Sequence, residues 1–197
     1  MAETLVRAAE PRDVPVLLEL FAELAEYEHL THELRATESG LTAALFGERP
    51  VAEALIAERD AGSGGPEVDA GLGGQKRDTD PGGSQVLGYA LFFPTFSSFL
   101  TSTGVWLEDL FVRRGHRGEG VGRALLSAVA ARVRERGGER LEWAALDWNE
   151  LALGFYRRMG ANIASEWITH RLDGAALERV ATYAPPATGP AGDAGSN

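Results

Sequence analysis

The sequence RGEGVG at residues 117–122 decides the fold that this chain is expected to adopt. It follows the apolar run at residues 105–112 and precedes an amphipathic segment, a pattern that predicts a strand, a glycine-rich turn and a helix. Glycine lets the backbone approach a bound group closely, and the first turn of a helix offers unpaired N–H groups at the positive end of its dipole. The motif therefore indicates an anion site, most simply for a phosphate, although a glycine turn that only packs a helix against a strand explains it equally well. It is not a Walker A motif, because no Gly-Lys-Ser/Thr closes it, and its spacing is one residue short of the dinucleotide fingerprint.

The composition limits the classes of protein to which the chain can belong. With 44% hydrophobic and 24% charged residues among 197, it is typical of one folded domain of ordinary size. The absence of cysteine excludes disulfides, thiolate metal sites and cysteine nucleophiles, and it fits a cytoplasmic location. No run approaches the ~18 apolar residues of a membrane span. The net charge of −10 argues against nucleic acid or an anionic membrane as the partner and is compatible with a cationic substrate.

The first half of the chain predicts two helices and three strands. An apolar stripe at helical spacing begins at Pro11, a residue suited to the first helical position, and runs to about Glu28. We expect Pro94 to end the pairing of the third strand, so that residues 95–100 form a loop. The other predicted elements are a strand over Thr4–Ala8, a helix over Glu38–Phe46 and strands over Val51–Glu58 and Val86–Phe93.

Two segments carry almost nothing to bury. Residues 60–84 contain eight glycines among small and charged side chains, which predicts a mobile insertion between two strands that still pair. Residues 184–197 are small and proline-rich, and we expect them to be disordered. The domain is therefore predicted to span residues 1–183, with the insertion inside it.

Two adjacent carboxylates, Glu108 and Asp109, lie in the middle of the apolar run at residues 105–112. The run is too apolar for an edge strand, so we place it in the interior of the sheet. Alternation of side chains puts the two carboxylates on opposite faces unless a β-bulge intervenes. Since burying an unpaired carboxylate is costly, one of the two is expected to line a wet cavity.

The second half of the chain predicts helices that alternate with strands. The helix after the glycine turn is predicted over Glu119–Arg136, and Gly137 ends it as a C-terminal glycine cap. Asn149 is the predicted N-cap residue of a further helix that ends at Gly160. The remaining predicted elements are strands over Leu141–Asp147 and Ile163–Leu172 and a short helix over Ala175–Ala181.

Three motifs in order resemble the GNAT superfamily of acyl-CoA-dependent N-acetyltransferases, and within it the diamine (spermidine/spermine) and thialysine acetyltransferases. They are LEDLFV at residues 107–112, RGxGxG at 117–122, and DWNE at 147–150 followed by FYxxxGA at 155–161. The N-terminal ELAxYE at residues 23–28 matches the same group, so the resemblance covers residues 3 to 181. It implies an α/β (α+β) fold with a single mixed sheet of about six strands flanked by helices, a bulged central strand, acetyl-CoA as co-substrate and a homodimer. The implied function is transfer of an acetyl group to a primary amine of a small cationic substrate, such as a diamine, a polyamine or a lysine-like amino acid.

The resemblance also implies roles for individual residues. Tyr156 matches the family tyrosine that protonates the departing thiolate, and Glu108 stands where the family contacts the substrate and removes its proton. The central strand would pair with pantetheine, the glycine turn would hold the pyrophosphate, and further residues would line the thioester. The expected cofactor-binding residues are Leu110, Phe111, Val112, Arg117, Gly118, Glu119, Gly120, Val121, Gly122, Arg123, Asn149, Ala152 and Tyr156. The expected substrate pocket, acidic and edged by aromatic rings, consists of Tyr27, Glu28, Glu108, Glu142, Trp143 and Glu166.

Other interpretations stay open on the sequence. A phosphate- or nucleotide-binding module without catalysis uses the same glycine turn, and a protein of this fold can instead acetylate a peptide or protein. His29 and His32 lie three residues apart but lack a third ligand at motif spacing, so we expect no metal site. The polyamine enzymes carry a carboxylate in the stretch that matches residues 95–100, and this chain has none there, which argues against polyamine specificity.

Overall fold

The computed structural model describes residues 3–60 and 84–184, and within them the chain forms one five-stranded sheet flanked by helices. The strands are β1 (Leu5–Ala8), β2 (Glu53–Asp60), β3 (Ser84–Ser97), β4 (Ser102–Val112) and β5 (Arg140–Glu142). They lie in chain order, and neighbours are antiparallel except for the parallel pair β4 and β5. The helices are α1 (Val14–Tyr27), α2 (Glu38–Phe46), α3 (Val121–Glu135), α4 (Glu150–Arg158) and α5 (Gly174–Ala181). The predicted α/β fold with a single mixed sheet is confirmed.

The apolar stripe of α1 packs on the sheet as its spacing predicts. Leu17 and Leu20 are fully buried in a cluster that also holds Tyr89 of β3 and Phe111 of β4. The α3 helix packs against β2, β3 and β4 and buries Val121, Leu125, Leu126, Val129 and Val133. The strands β3 and β4, which carry most of the candidate site, are thus held in place by packed helices.

The glycine turn joins β4 to α3 as predicted, but α3 begins at Val121 rather than at Glu119. The reason is the backbone of the turn, because Gly118 and Gly120 have φ of +83° and +89° and cannot belong to a right-handed helix. At the other end, Gly137 with φ of +70° follows the last turn, in agreement with the predicted glycine cap.

The prediction that Pro94 ends the pairing of β3 is wrong. The strand continues to Ser97, and Pro94 lies opposite Val105 of β4. The pairing of β3 with β2 stops at Phe92, so beyond that residue β3 is paired along one edge among the described strands. Proline lacks an N–H but costs no ladder hydrogen bond where the missing donor points away from a partner strand.

Two predictions in the second half need correction. The strand predicted over Leu141–Asp147 is limited to Arg140–Glu142, because only residues 104–106 of β4 pair with it. Residues 163–172 were predicted as a strand, but they form loop and turn in the structure, and Ile163, Trp167 and Ile168 are each at least 74% exposed. Apolar alternation alone does not make a strand where no neighbouring strand supplies ladder hydrogen bonds.

The chain divides into two compact units, Met1–Leu153 and Gly154–Asn197. The first holds the sheet, α1, α2, α3 and the start of α4, while the second holds the end of α4, the loop at residues 163–172 and α5. The strands that flank the predicted insertion do pair, with Asp60 opposite Ser84, but residues 61–83 and the tail from residue 185 lie outside the described ranges. Over the described residues, helices that combine the length and the apolar character required to cross a bilayer are not found.

Candidate functional site

The glycine turn before α3 has the geometry of an anion site. Gly120 is the N-cap residue of α3, no side chain caps it, and the first helical bond runs from the N–H of Ala124 to the carbonyl of Gly120 at 3.0 Å. The N–H groups of residues 121–123 therefore precede the first intrahelical bond and point toward the turn. A Cβ at Gly118 would meet nothing within 4 Å, so glycine is needed there for its positive φ and not for space. The turn fits a phosphate group at the positive end of the α3 dipole.

The two charged side chains of the turn at residues 117 and 119 are held by neighbours that the sequence did not reveal. The Nε of Arg117 donates to the carbonyl of Val112 at 3.0 Å, and its guanidinium lies 4.4 Å from the ring centroid of Tyr27. Glu119 accepts a hydrogen bond from Arg59 at 2.9 Å, and this bond holds the pKa of the carboxyl below its usual range. The carboxylate of Glu119 therefore forms an ion pair with Arg59.

One edge of β4 runs without a strand beside it. The strand β5 pairs only with residues 104–106 of β4, so the edge from Leu107 to Val112 has no strand partner among the described residues. The N–H of Arg113 donates to Leu87 of β3 at 2.9 Å, and alternation along the strand then turns the backbone groups of Val112 and Leu110 toward the open edge. Phe111 instead faces β3 with its backbone and the core with its ring. Leu110 and Val112 therefore offer the hydrogen-bonding groups of this edge, apart from the Val112 carbonyl that Arg117 occupies.

A β-bulge in β4 sets the positions of the two adjacent carboxylates. Leu91 of β3 lies opposite Asp109, and the next residue, Phe92, lies opposite Leu107, so Glu108 is the extra residue. Glu108 is exposed, and its Oε2 accepts a hydrogen bond from the Nε1 of Trp106 at 2.9 Å. The bulge that the sequence allowed is thus present, and it presents Glu108 to solvent beside the open edge of β4.

The carboxyl of Asp109 is the most perturbed acid at this bulge. Burial raises its pKa from 3.8 to about 6, a hydrogen bond from the hydroxyl of Tyr89 at 3.0 Å opposes this rise, and the charges of Glu108 and Glu28 add to it. Burial also raises the pKa of Glu28, which follows the last residue of α1. Glu28 and Glu108 therefore both act electrostatically on Asp109. We define these three residues as the acid cluster.

Asp109 was not among the residues selected from the sequence. Its place next to Glu108 was visible, but strand alternation placed it on the opposite face, away from the candidate site. Only the register of β3 and β4 shows that the bulge changes this alternation.

The end of α1 and the start of α4 meet through Asn149. Its Oδ1 accepts the N–H of Ala152 at 3.2 Å, which confirms the predicted N-cap, and it also accepts the hydroxyl of Tyr27 at 3.0 Å. The ring of Trp148 lies 6.2 Å from that of Tyr27 and 6.1 Å from that of His29. The side chain of Asn149 is thus buried in a structural role, and Tyr27 links it to Arg117 of the glycine turn.

Other expected site residues lie on elements other than those that carry the acid cluster. Glu142 lies on β5 opposite Trp106 and forms an exposed ion pair with Arg140 at 3.1 Å, and Trp143 follows directly after that strand. Tyr156 and Glu166 belong to the unit Gly154–Asn197, where the ring of Tyr156 packs against Phe155 at 5.2 Å and Glu166 is exposed. In residues 3–60 and 84–184, no three His, Asp or Glu side chains come together as metal ligands.

Comparison with known proteins agrees with this geometry. The family model of the Acetyltransferase (GNAT) family matches residues 75–161. L-ornithine N5-acetyltransferase NATA1 of Arabidopsis thaliana is 37% identical over 89% of this chain and 86% of its own length. Thialysine N-epsilon-acetyltransferase of Sus scrofa is 32% identical over 92% of this chain and 99% of its own.

A solved structure shows the same fold. The integron cassette protein VCH_CASS6 from the mobile metagenome of V. cholerae superposes with a TM-score of 0.66 at 25% identity, covering 92% of this chain and 98% of that one. The resemblance inferred from the three motifs is therefore confirmed. The glycine turn, the bulged strand with its open edge, and relatives that are more than 30% identical over nearly the whole chain place this protein in the GNAT family of N-acetyltransferases.

Proposed function

We propose that this N-acetyltransferase moves the acetyl group of acetyl-CoA to a primary amine of a small cationic substrate, either a basic amino acid or a short diamine. The observation that carries the proposal is the acid cluster of Glu28, Glu108 and Asp109 beside the open edge of β4. The charges of Glu28 and Glu108 add to the rise in the pKa of Asp109, and a bound ammonium group relieves this cost.

The co-substrate supplies an activated thioester, and the chain supplies its binding groups. The N–H groups of residues 121–123 would hold the pyrophosphate, since they precede the first intrahelical bond of α3. The open edge at Leu110 and Val112 would pair with the pantetheine amides as a further strand does. Arg117 of the glycine turn donates to the carbonyl of Val112 at this edge, and its guanidinium stacks on the ring of Tyr27.

The amine requires removal of a proton before it reacts. An alkyl ammonium with a pKa of ~10.4 is only about one part in 2,500 neutral at pH 7, a penalty of about 4–5 kcal/mol. Glu108 is the proposed proton acceptor, directly or through a water molecule, because it is exposed at the bulge and Trp106 orients its Oε2.

Tyr156 is the proposed acid, on the strength of the FYxxxGA match at residues 155–161. A phenol with a pKa near 10 gives a proton to a thiolate with a pKa near 8.5 only at a cost of about 2 kcal/mol. The hydroxyl of Tyr156 therefore acts mainly as a hydrogen-bond donor to the sulfur while negative charge develops there.

The carboxylates of the acid cluster suit short cationic substrates better than long polyamines. The two relatives named above act on ornithine and on thialysine by their names, and both of these are basic amino acids. Residues 95–100 carry no carboxylate for a distant second or third ammonium group. We therefore expect ornithine-like and lysine-like amines to be acetylated faster than spermine.

The test is a thiol-release assay with acetyl-CoA and a matched panel of acceptors: ornithine, lysine, thialysine, putrescine, spermine, an aryl amine and a lysine-containing peptide. Turnover that is highest for short cationic amines supports the proposal. Equal turnover of the aryl amine, or preference for the peptide, would exclude it. The proposal includes a homodimer in a cytoplasmic location, which light scattering of the pure protein and fractionation of cells would check.

A further inference from the structure

Tyr89 combines complete burial with one polar contact. It lies on β3 with 0% of its surface exposed, and its ring packs against Phe21 of α1 at 5.1 Å and Phe111 of β4 at 6.3 Å. A phenylalanine ring would satisfy this apolar packing. The hydroxyl therefore needs a separate explanation, because a buried O–H is costly unless it is hydrogen-bonded.

The hydroxyl reaches Asp109 diagonally across two strands. Tyr89 lies opposite Phe111, and Asp109 precedes Phe111 by two residues, so both side chains stand on the same face of the sheet. The hydroxyl donates to Oδ2 of Asp109 at 3.0 Å. The bond uses Oδ2, so Oδ1 of this partly buried carboxylate can accept a hydrogen bond from another group.

The groups that act on the carboxyl of Asp109 come from three elements. Glu108 is its neighbour on β4, Glu28 follows the end of α1, and Tyr89 faces it from β3. Both carboxylates disfavour the ionised form of Asp109, and burial does so more strongly. The hydrogen bond from Tyr89 opposes these effects and favours the ionised carboxylate, which is the form that binds a cation.

We propose that Tyr89 is a positioning residue, whose buried hydroxyl holds the carboxylate of Asp109 through Oδ2 so that Oδ1 of Asp109 receives the ammonium group of the amine substrate. This inference rests on the proposed function, and it separates two tasks within the acid cluster. Asp109 binds the cationic acceptor, and Glu108 takes the proton. Tyr89 does not touch the substrate but acts through Asp109.

The first test is the pH dependence of kcat/KM for ornithine, measured by thiol release between pH 5 and 9. Loss of the donor in Tyr89→Phe raises the pKa of Asp109 by about one unit from its value of about 6. The variant is then about half ionised at pH 7 and about one-tenth ionised at pH 6, so KM rises about twofold at pH 7 and about fivefold at pH 6. The kcat at saturating ornithine stays within about twofold of the wild type.

Two further variants separate positioning from packing. Asp109→Asn removes the ionisable group, so the change in kcat/KM near pH 6 that depends on Asp109 is absent from its pH profile. Its KM for ornithine rises about tenfold or more at neutral pH, because the carboxylate that binds the ammonium group is lost. Phe21→Leu loosens the packing of the Tyr89 ring but keeps the hydroxyl, and it is expected to lower Tm without moving the pH profile.

The outcomes are distinct. A Tyr89→Phe profile that coincides with the wild type, with Tm lowered as in Phe21→Leu, means that Tyr89 only packs and overturns the inference. Wild-type protein that acetylates no cationic amine overturns the proposed function and this inference together. If the wild type acetylates cationic amines but the pH profile of Tyr89→Phe is unchanged, the inference about Tyr89 is overturned and the proposed function stands.

Discussion

The raised pKa of Asp109 has a measurable effect on the stability of the protein. Its carboxyl has a pKa of about 6 in the folded chain and 3.8 as the ordinary value, mainly because of burial. Below pH ~3.8 the group is protonated in both the folded and the unfolded state. As the pH rises, the unfolded state loses the proton first, so the stabilisation that the protonated group provides is lost through the interval up to about pH 6.

The size of the effect follows from the shift. A difference of about two pKa units at 1.36 kcal/mol per unit amounts to about 3 kcal/mol of unfolding free energy. Asp109→Asn removes this cost, since an amide oxygen accepts the Tyr89 hydroxyl without carrying a charge. We expect the variant to exceed the wild type by up to this amount at pH 7 and to match it below pH 4, apart from a constant offset.

The assay is urea unfolding of both proteins at half-unit steps from pH 3.5 to 7.5, with the difference in free energy plotted against pH. Glu135→Gln is the control, because it removes a carboxylate from an exposed ion pair with Arg132 and should change the free energy by less than about 0.5 kcal/mol at every pH. A difference between wild type and Asp109→Asn that stays constant across the range would refute the burial argument for this carboxyl.

Three other predictions follow from the same geometry. Gly120→Ala forces a side chain to φ of +89° and should cost about 1–2 kcal/mol of stability while it removes the rise in Tm that acetyl-CoA causes; an unchanged rise in a folded variant would rule out the glycine turn as the phosphate site. Deletion of residues 61–83 down to a short turn should leave Tm and turnover nearly unchanged, because Asp60 and Ser84 already pair; loss of folding would show that the segment is structural. Glu108→Gln should lower kcat most at neutral pH, where the amine proton must be removed, and Glu135→Gln, at an exposed ion pair with Arg132, is its matched control; equal activity of the two variants would remove Glu108 from the mechanism.

Local sequence patterns were sufficient to locate the helices and the glycine turn along the chain. The apolar stripe of α1 depends on spacing along a single helix, and α2 has the bounds that its sequence predicts. The positive φ of Gly118 and Gly120 follows from residues that are adjacent in the chain. The same holds for Asn149, whose side chain caps a helix that begins at the next residue. Each of these features is decided by neighbours a few positions away, so the sequence by itself determined them.

Strand limits and the acid cluster depended on residues that are far apart in the chain. Pro94 is tolerated inside β3 because β3 no longer pairs with β2 beyond Phe92. Residues 163–172 form no strand because no described strand pairs with them. The bulge at Glu108 exists only in the register between β3 and β4, and Tyr89 meets Asp109 across a separation of 20 residues. Pairing and burial are properties of the folded chain, since they depend on which strand lies alongside and on what covers the side chain. The tertiary structure therefore decided which carboxylates act together, while the sequence determined the motifs that identify the family.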